Sequence, residues 1–340
     1  MSSPLRVGLA GLGGHGRAHQ RAAQALPDLV TVAAVYDPNQ AEAQAAADRF
    51  GCPAAPSYDA LLASDLDAVV LVTPNAVHRA QAEAAFAAGL DVLVEKPIAN
   101  TVADGRAMIE AARRAGRTLM VGHNIRLGRA AREAKARITR GDVGRVVGVE
   151  IHYSADNVQK GTHGGWRFEP GAFPLLPMMQ LGIHAVDLAH YLVGRVEGVT
   201  AHARSVLTRP GVVDTVAGLL DLEGGVVGTV VSTYCTPDLF QVRVSGTSGL
   251  IVLDWIPHRL TVLPQGNRTE APEVLDFSAH ANEDIEREWR AFAEAIRSGQ
   301  TPETDGSVGL AALAVVEAMA ESAESGRRVL VAGADLEAEA

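Results

Sequence analysis

The sequence predicts a doubly wound parallel α/β domain over residues 1–124, followed by an α+β domain with a large, mostly antiparallel sheet over residues 125–340. Three observations predict this. The 340 residues exceed the roughly 100–200 of an ordinary single domain. The first third alternates continuous apolar runs with alanine-rich helical stretches. The remainder carries strand-like segments punctuated by glycine turns.

In the first domain the runs are Leu5–Ala10, Val30–Tyr36, Ala68–Val72, Val92–Val94 and Thr118–Val121. They do not alternate with polar residues, as expected of strands covered on both faces. Between them, His15–Ala25, Gln40–Phe50, Val77–Ala88 and Val102–Ala115 have the length of crossover helices. Gly51, Gly89 and Gly116 stand where helices end. A further helix is expected over Leu127–Arg140, ending at Gly141. Strands follow at Arg145–Tyr153, Val196–Leu207, Val212–Leu222, Val226–Tyr234, Gln241–Ser245, Leu250–Asp254 and Arg259–Leu263. Helices at Pro177–Leu192, Asn282–Ser298 and Gly306–Ser325 complete the second domain.

Composition bounds the function. With 30 Lys plus Arg against 40 Asp plus Glu, the net charge of −10 argues against nucleic acid as a partner. Two cysteines, Cys52 and Cys235, build no disulfide framework and stand in no metal-ligand cluster. No apolar run nears the roughly 18 residues of a bilayer span, and the N-terminus lacks a signal-peptide core. A cytoplasmic protein without membrane association is expected.

Gly11-Leu12-Gly13-Gly14-His15-Gly16 follows the first strand and opens a helix, the GxGxxG arrangement that seats a pyrophosphate on a helix N-terminus. Asp37 ends the second strand, 21 residues beyond Gly16, where an acid holds the adenosine ribose. Its carboxylate would repel a 2′-phosphate, and Pro38, Asn39 and Gln40 supply no cation, so NAD is favoured over NADP. An ordinary solvated turn is the competing reading of Asp37. Thr73-Pro74-Asn75, with His78, follows the third strand and faces the same crevice, or merely caps the next helix. Glu95-Lys96-Pro97 ends the fourth strand and points a lysine toward that crevice.

These motifs, with Gly182-Ile183-His184-Ala185-Val186-Asp187, make a constellation that resembles the glucose–fructose oxidoreductase / inositol dehydrogenase / rhizopine catabolism family of NAD(P)-dependent oxidoreductases. The resemblance covers nearly the whole chain. It implies a Rossmann domain, a sheet domain that forms a homo-dimer or homo-tetramer, and oxidation or reduction of a secondary alcohol on a sugar, cyclitol or related diol. It places Gly11, Leu12, Gly13, Gly14, His15 and Gly16 along the pyrophosphate and Asp37 on the ribose. Thr73, Pro74, Asn75 and His78 then meet the central part of the cofactor, with Glu95, Lys96 and Arg167 beside it. The Lys96–Pro97 peptide is expected to be cis. The family pattern Asp-x-Gly-x-His-x-x-Asp is altered here, Gln180 standing where the first acid belongs. Gln180 keeps the hydrogen bonding but takes up no proton.

Within this reading His184 accepts the hydroxyl proton, because an imidazole titrates near working pH, and Lys96 hydrogen-bonds the reacting oxygen. Asp187 either orients His184 or serves as a structural partner. Asn124, Tyr153, Trp166 and Gln180 are the expected substrate contacts. Tyr153, His163, Trp166, Phe168 and Phe173 cluster in a chain only 4% aromatic, as a pocket lid or as a packed anchor. The stripe Arg126, Arg129, Arg132 and Lys135 is expected to be a solvated face. Two other functions remain open at this point: an NAD-binding regulator without chemistry, and a hydrolase or lyase using transient oxidation.

Overall fold

A computed structural model describes residues 3–161, 168–169, 173–264, 271–281 and 283–331. The chain forms two compact units, Met1–Asn124 with Asn282–Leu310, and Ile125–Ala281 with Ala311–Ala340. The sequence reading put a single boundary after residue 124. The chain instead returns, and residues 282–310 complete the first unit.

The first unit begins β1 (Leu5–Ala10), α1 (Gly16–Gln24), β2 (Val30–Tyr36), α2 (Gln40–Phe50), α3 (Tyr58–Leu62), β3 (Ala68–Leu71), α4 (His78–Ala87), β4 (Asp91–Val94), α5 (Val102–Ala115) and β5 (Leu119–Val121). Its five strands lie parallel in the order β2-β1-β3-β4-β5. Successive connections therefore leave β1 in opposite directions, and ligands of such sheets bind at the carboxyl ends of the strands flanking that switch point. All four residues of β3 and of β4 are buried, which is why these strands read as unbroken apolar runs. Asn39, Ser57 and Thr101 cap α2, α3 and α5 through their side chains. The short helix α3 was not anticipated, being a single capped turn with too few residues for a periodic pattern.

The second unit holds α6 (Arg129–Arg140), β6 (Val146–Ser154), α7 (Ile183–Leu192), β7 (Val196–Arg204), β8 (Thr215–Leu222), β9 (Val226–Thr233), β10 (Leu239–Gly246), β11 (Gly249–Asp254), β12 (Arg259–Pro264) and β13 (Glu273–Asp276). Helix α8 (Glu283–Ser298) and the start of α9 (Gly306–Ser325) belong to the first unit, and the rest of α9 with the short β14 (Val329–Leu330) to the second. One sheet of nine strands runs β13-β12-β11-β10-β6-β9-β8-β7-β14, antiparallel except where β6 pairs with β9. Strand β7 stops at Arg204, short of the expected Leu207, because Asp214 draws the chain out of the ladder. Its carboxylate accepts from the backbone N–H of Val206, Leu207 and Thr208 at 2.7–3.0 Å.

The nine-stranded sheet has two unlike faces. Val199, Leu220, Val149 and Val244 belong to the buried face. On the other, registers bring Leu219, Val227 and Leu330 to one side, and these are 55%, 57% and 66% exposed. Helix α9 is long and apolar enough to cross a bilayer, a match the run-length reading did not anticipate. Since 61% of its apolar window is buried inside the protein, it serves as a core helix here.

Candidate active site

The turn after β1 is built for close approach. Gly11 adopts φ +89°, and a Cβ there would stand 2.4 Å from the carbonyl oxygen of Val72, at the end of β3. A Cβ on Gly16 would stand 2.2 Å from the carbonyl oxygen of Gly11, so helix and strand meet at that spot. Gly13 and Gly14 face open space. The first turn of α1 contains no acidic residue and no capping side chain. A pyrophosphate therefore fits over Gly13 and Gly14, where backbone N–H groups and the helix dipole favour an anion.

Leu12 is buried in the core, and its N–H donates to Asp37 Oδ2 at 2.8 Å. Asp37 Oδ1 accepts from Asn39 N at 2.8 Å. Asp37 thus stitches the glycine turn to the start of α2, and each oxygen retains a second lone pair for a ribose hydroxyl. Arg17, near this turn, is paired with Glu42 at 2.6 Å.

The turns after β3 and β4 are bound to one another. Thr73 Oγ1 donates to Gln81 Oε1 at 2.6 Å, and buried Asn75 is bonded to Asn100. Pro74 leads the short turn Asn75–Val77 into α4. His78, expected at the cofactor, is 1% exposed and turned into the protein. Its Nε2 lies 2.9 Å from the carbonyl of Thr73 and its Nδ1 3.1 Å from that of Pro97, so the ring sits between the two turns with its single proton available to one of those carbonyls. Burial pushes its pKa down against the pull of those carbonyls and of Glu95.

Glu95, expected beside the cofactor, is likewise directed inward. Its Oε1 lies 2.9 Å from His19 Nε2 and 3.0 Å from His15 Nε2, and its Oε2 accepts from Lys96 N at 3.0 Å. Burial opposes ionisation, but the attraction of His15 and the hydrogen bonds of His15 and His19 hold the carboxyl well below the usual range. His15, expected on the pyrophosphate, is engaged by this carboxylate while its ring stays half exposed. The Lys96–Pro97 peptide is cis, and Lys96 is partly exposed at the turn. Donor atoms of His15, His19 and Glu95 lie within 4.8 Å of one another, as a metal cluster would require. However, the indole N–H of Trp289 donates to His19 Nδ1 at 3.1 Å, which puts the ring proton on Nε2, where a metal would need a lone pair.

In the second unit, residues Met178–Gly182 form one π turn leading into α7, where a single continuous helix was expected. Ser232 Oγ donates to the Pro177 carbonyl at 3.0 Å and pins that turn to β9. Met178 packs closely on Gly182, where a Cβ would stand 2.4 Å from its Sδ and oblige that side chain to shift. Gln180 lies in the π turn and His184, 8% exposed, in the first turn of α7. Tyr153, on β6, sets its ring 6.4 Å from that of His184 and stacks on Phe240 at 4.4 Å. Burial, with Asp238 nearby, pushes its phenol up to about 12.

Asp187 is bound by Arg126 through two nitrogens, one of them Nε at 2.9 Å, which makes it a partner of that loop. The expected solvated stripe holds at Arg129, which is exposed, and is corrected at the other three positions. Arg126 is 6% exposed, and Arg126, Arg132 and Lys135 gather 5.3–5.6 Å from the ring centre of Tyr191. Of the aromatic segment, Phe168 and Phe173 are buried, Phe168 against Tyr234, as packed anchors would be. His163, Trp166 and Arg167 lie outside the described residues. Asn124 is buried at the end of the first unit.

Sequence reasoning missed His19 and Trp289. His19 carried a signal, lying one turn from His15 on α1. Trp289 carried none, being 270 residues away from its partner.

Comparison with known proteins agrees with this geometry. Residues 5–123 match the model of the oxidoreductase family with an NAD-binding Rossmann fold, and residues 131–252 match the GFO/IDH/MocA C-terminal domain. The chain is 32% identical to D-xylose 1-dehydrogenase (NADP(+)) 2 of Haloferax volcanii, over 87% of its own length and 91% of that protein. It is 26% identical to scyllo-inositol 2-dehydrogenase (NAD(+)) of Bacillus subtilis, over 89% of each. Levoglucosan dehydrogenase in complex with NADH and levoglucosan superposes with a TM-score of 0.90 at 25% identity, over 97% of this chain and 100% of that one. Two family models covering both halves, together with relatives aligned along nearly the whole length, establish that the chain belongs to the GFO/IDH/MocA family of NAD(P)-dependent oxidoreductases.

Proposed function

We propose that the protein is an NAD-dependent dehydrogenase or reductase for a secondary hydroxyl of a sugar or cyclitol. The observation that carries this reading is the open floor at Gly13 and Gly14, over an uncapped α1, with Asp37 fixed beside it and Lys96 two strands along the same sheet edge. Relatives named as xylose and scyllo-inositol dehydrogenases support the substrate class.

When bound, the nicotinamide accepts or returns the hydride. The protein handles the rest. Lys96 hydrogen-bonds the reacting oxygen and stabilises its alkoxide character. His184 takes the hydroxyl proton during oxidation and passes it to solvent. Gln180 and Tyr153 bind neighbouring hydroxyls and hold the carbinol carbon in line, with Asn124 and Trp166 completing the substrate contacts. Asp37 selects NAD by accepting from the ribose hydroxyls and repelling a 2′-phosphate. The exposed apolar side chains of the nine-stranded sheet support association of identical chains through that face.

The test is NADH formation across a panel of pentoses, hexoses and inositols, with Lys96→Ala and His184→Ala compared to the parent. Turnover should fall by about 10²–10⁴ in each variant while NAD affinity stays within about threefold. Undiminished turnover in both would remove these residues from the chemistry.

A further inference from the structure

We infer that Trp289 and His19 are positioning residues for Lys96: the indole fixes the tautomer of His19, and His19 in turn fixes the carboxylate that holds the Lys96 peptide. This rests on the reading of Lys96 as the group that meets the substrate oxygen.

An indole nitrogen only donates. Trp289 Nε1 lies 3.1 Å from His19 Nδ1, so that nitrogen presents its lone pair and the single ring proton sits on Nε2. Nε2 lies 2.9 Å from Glu95 Oε1, which accepts the proton's hydrogen bond. The other carboxylate oxygen accepts from the backbone N–H of Lys96 at 3.0 Å. Trp289 and His19 are both fully buried. The chain of bonds thus runs from α8, through α1, to the turn after β4.

Charging the ring is blocked by geometry. A proton on Nδ1 would set two N–H donors head to head. Burial pushes the same way, lowering the His19 pKa against the pull of Glu95 and helped by His15. The other titratable groups around this layer are His15 just before α1, His78 on α4, and Asp284 and Glu288 on α8. Glu288, beside Trp289 in sequence, is fully buried, and neither of its carboxyl oxygens meets a partner among the described residues. Burial pushes that carboxyl well above its usual range, with Glu95 and Asp284 acting in the same direction, so it adds no second negative charge. Space for the arrangement is reserved at the end of β5, where a Cβ on Gly122 would stand 3.0 Å from Glu95 Oε1.

The ring therefore acts as a neutral, one-directional donor whose state does not follow pH in the range where free histidines titrate. The carboxylate it holds keeps the Lys96 peptide in one orientation, and misplacing a reacting group by about 1 Å costs on the order of 10²-fold.

The experiment uses the full chain labelled with ¹⁵N at histidine, with Trp289→Phe, His19→Gln and His19→Leu as variants. In the parent, His19 should show a protonated Nε2 and bare Nδ1 between about pH 5 and 8. In Trp289→Phe the ring should lose that fixed tautomer, and kcat should fall about 10–100-fold with KM and NAD affinity within about threefold. Glutamine carries an acceptor and a donor side by side, so His19→Gln should keep kcat within about threefold, whereas His19→Leu should match Trp289→Phe. A parent ring protonated on Nδ1, or one that titrates in this range, overturns the inference. So does a Trp289→Phe variant with unchanged kcat, or a glutamine variant no better than leucine. If Lys96→Ala leaves turnover intact, the role of Lys96 fails on its own account, while the ¹⁵N spectra still read the tautomer.

Discussion

Glu95 in the first unit and Asp187 in the second are both buried carboxylates next to candidate catalytic residues, yet they are satisfied by different means. Glu95 faces two imidazoles and a backbone amide, groups that direct hydrogen bonds without a permanent charge. Asp187 faces the guanidinium of Arg126, which is always charged and grips through two nitrogens. The first arrangement orients a neighbour. The second neutralises a charge and ties the turn Asn124–Leu127 to α7 just beyond His184. Losing a donor at Glu95 should therefore appear in turnover, and losing the cation at Asp187 should appear first in stability.

The largest expected effect tests that division. Arg126→Leu leaves a buried carboxylate without its cation, which typically costs about 3–5 kcal/mol. Chemical denaturation of the variant reads this directly. A loss below about 1 kcal/mol would show that the pair contributes little beyond packing and would erase the contrast with Glu95.

Asp37 sharpens the same comparison, because it is partly exposed and accepts from the backbone N–H groups of Leu12 and Asn39. Asp37→Ala should weaken NAD by about 10-fold, in line with loss of one charged hydrogen bond, while NADP weakens less or improves. Titration of both nucleotides by fluorescence gives the ratio. Equal losses for the two would mean that Asp37 serves the turn and does not read the ribose.

What was legible in the sequence follows from how local each feature is. The glycine turn, Asp37 and the end of β4 are set by neighbouring residues and by a parallel sheet whose buried strands announce themselves. Inward rotation of Glu95 and His78 was not legible, since it depends on partners from other elements: His15 and His19 for one, the carbonyls of Thr73 and Pro97 for the other. The cationic stripe was misread for the same reason. Spacing put Arg126, Arg132 and Lys135 on one helical face, but only tertiary packing brings Tyr191 and Asp187 against them. The return of residues 282–310 to the first unit carries no sequence mark, although it delivers Trp289 to His19.

The two units also differ in how their sheets meet solvent. The central strands β3 and β4 of the parallel sheet are buried along their whole length, whereas the nine-stranded sheet leaves Leu219, Val227 and Leu330 exposed on one side. An exposed apolar residue flanked by polar ones is ordinary; three on one face of one sheet, with the Arg328–Asp221 ion pair beside them, are where association of identical chains is proposed. Leu219 is paired with Thr229 across the strand and is 55% exposed, so Leu219→Lys should change the stability of the isolated chain by no more than about 0.5 kcal/mol. Its effect should fall on association instead, read as a shift to smaller species in sedimentation or light scattering at the same concentration. If the variant and the parent sediment alike, this face is not where identical chains meet, and the exposed side chains are no more than the tolerated surface of an antiparallel sheet.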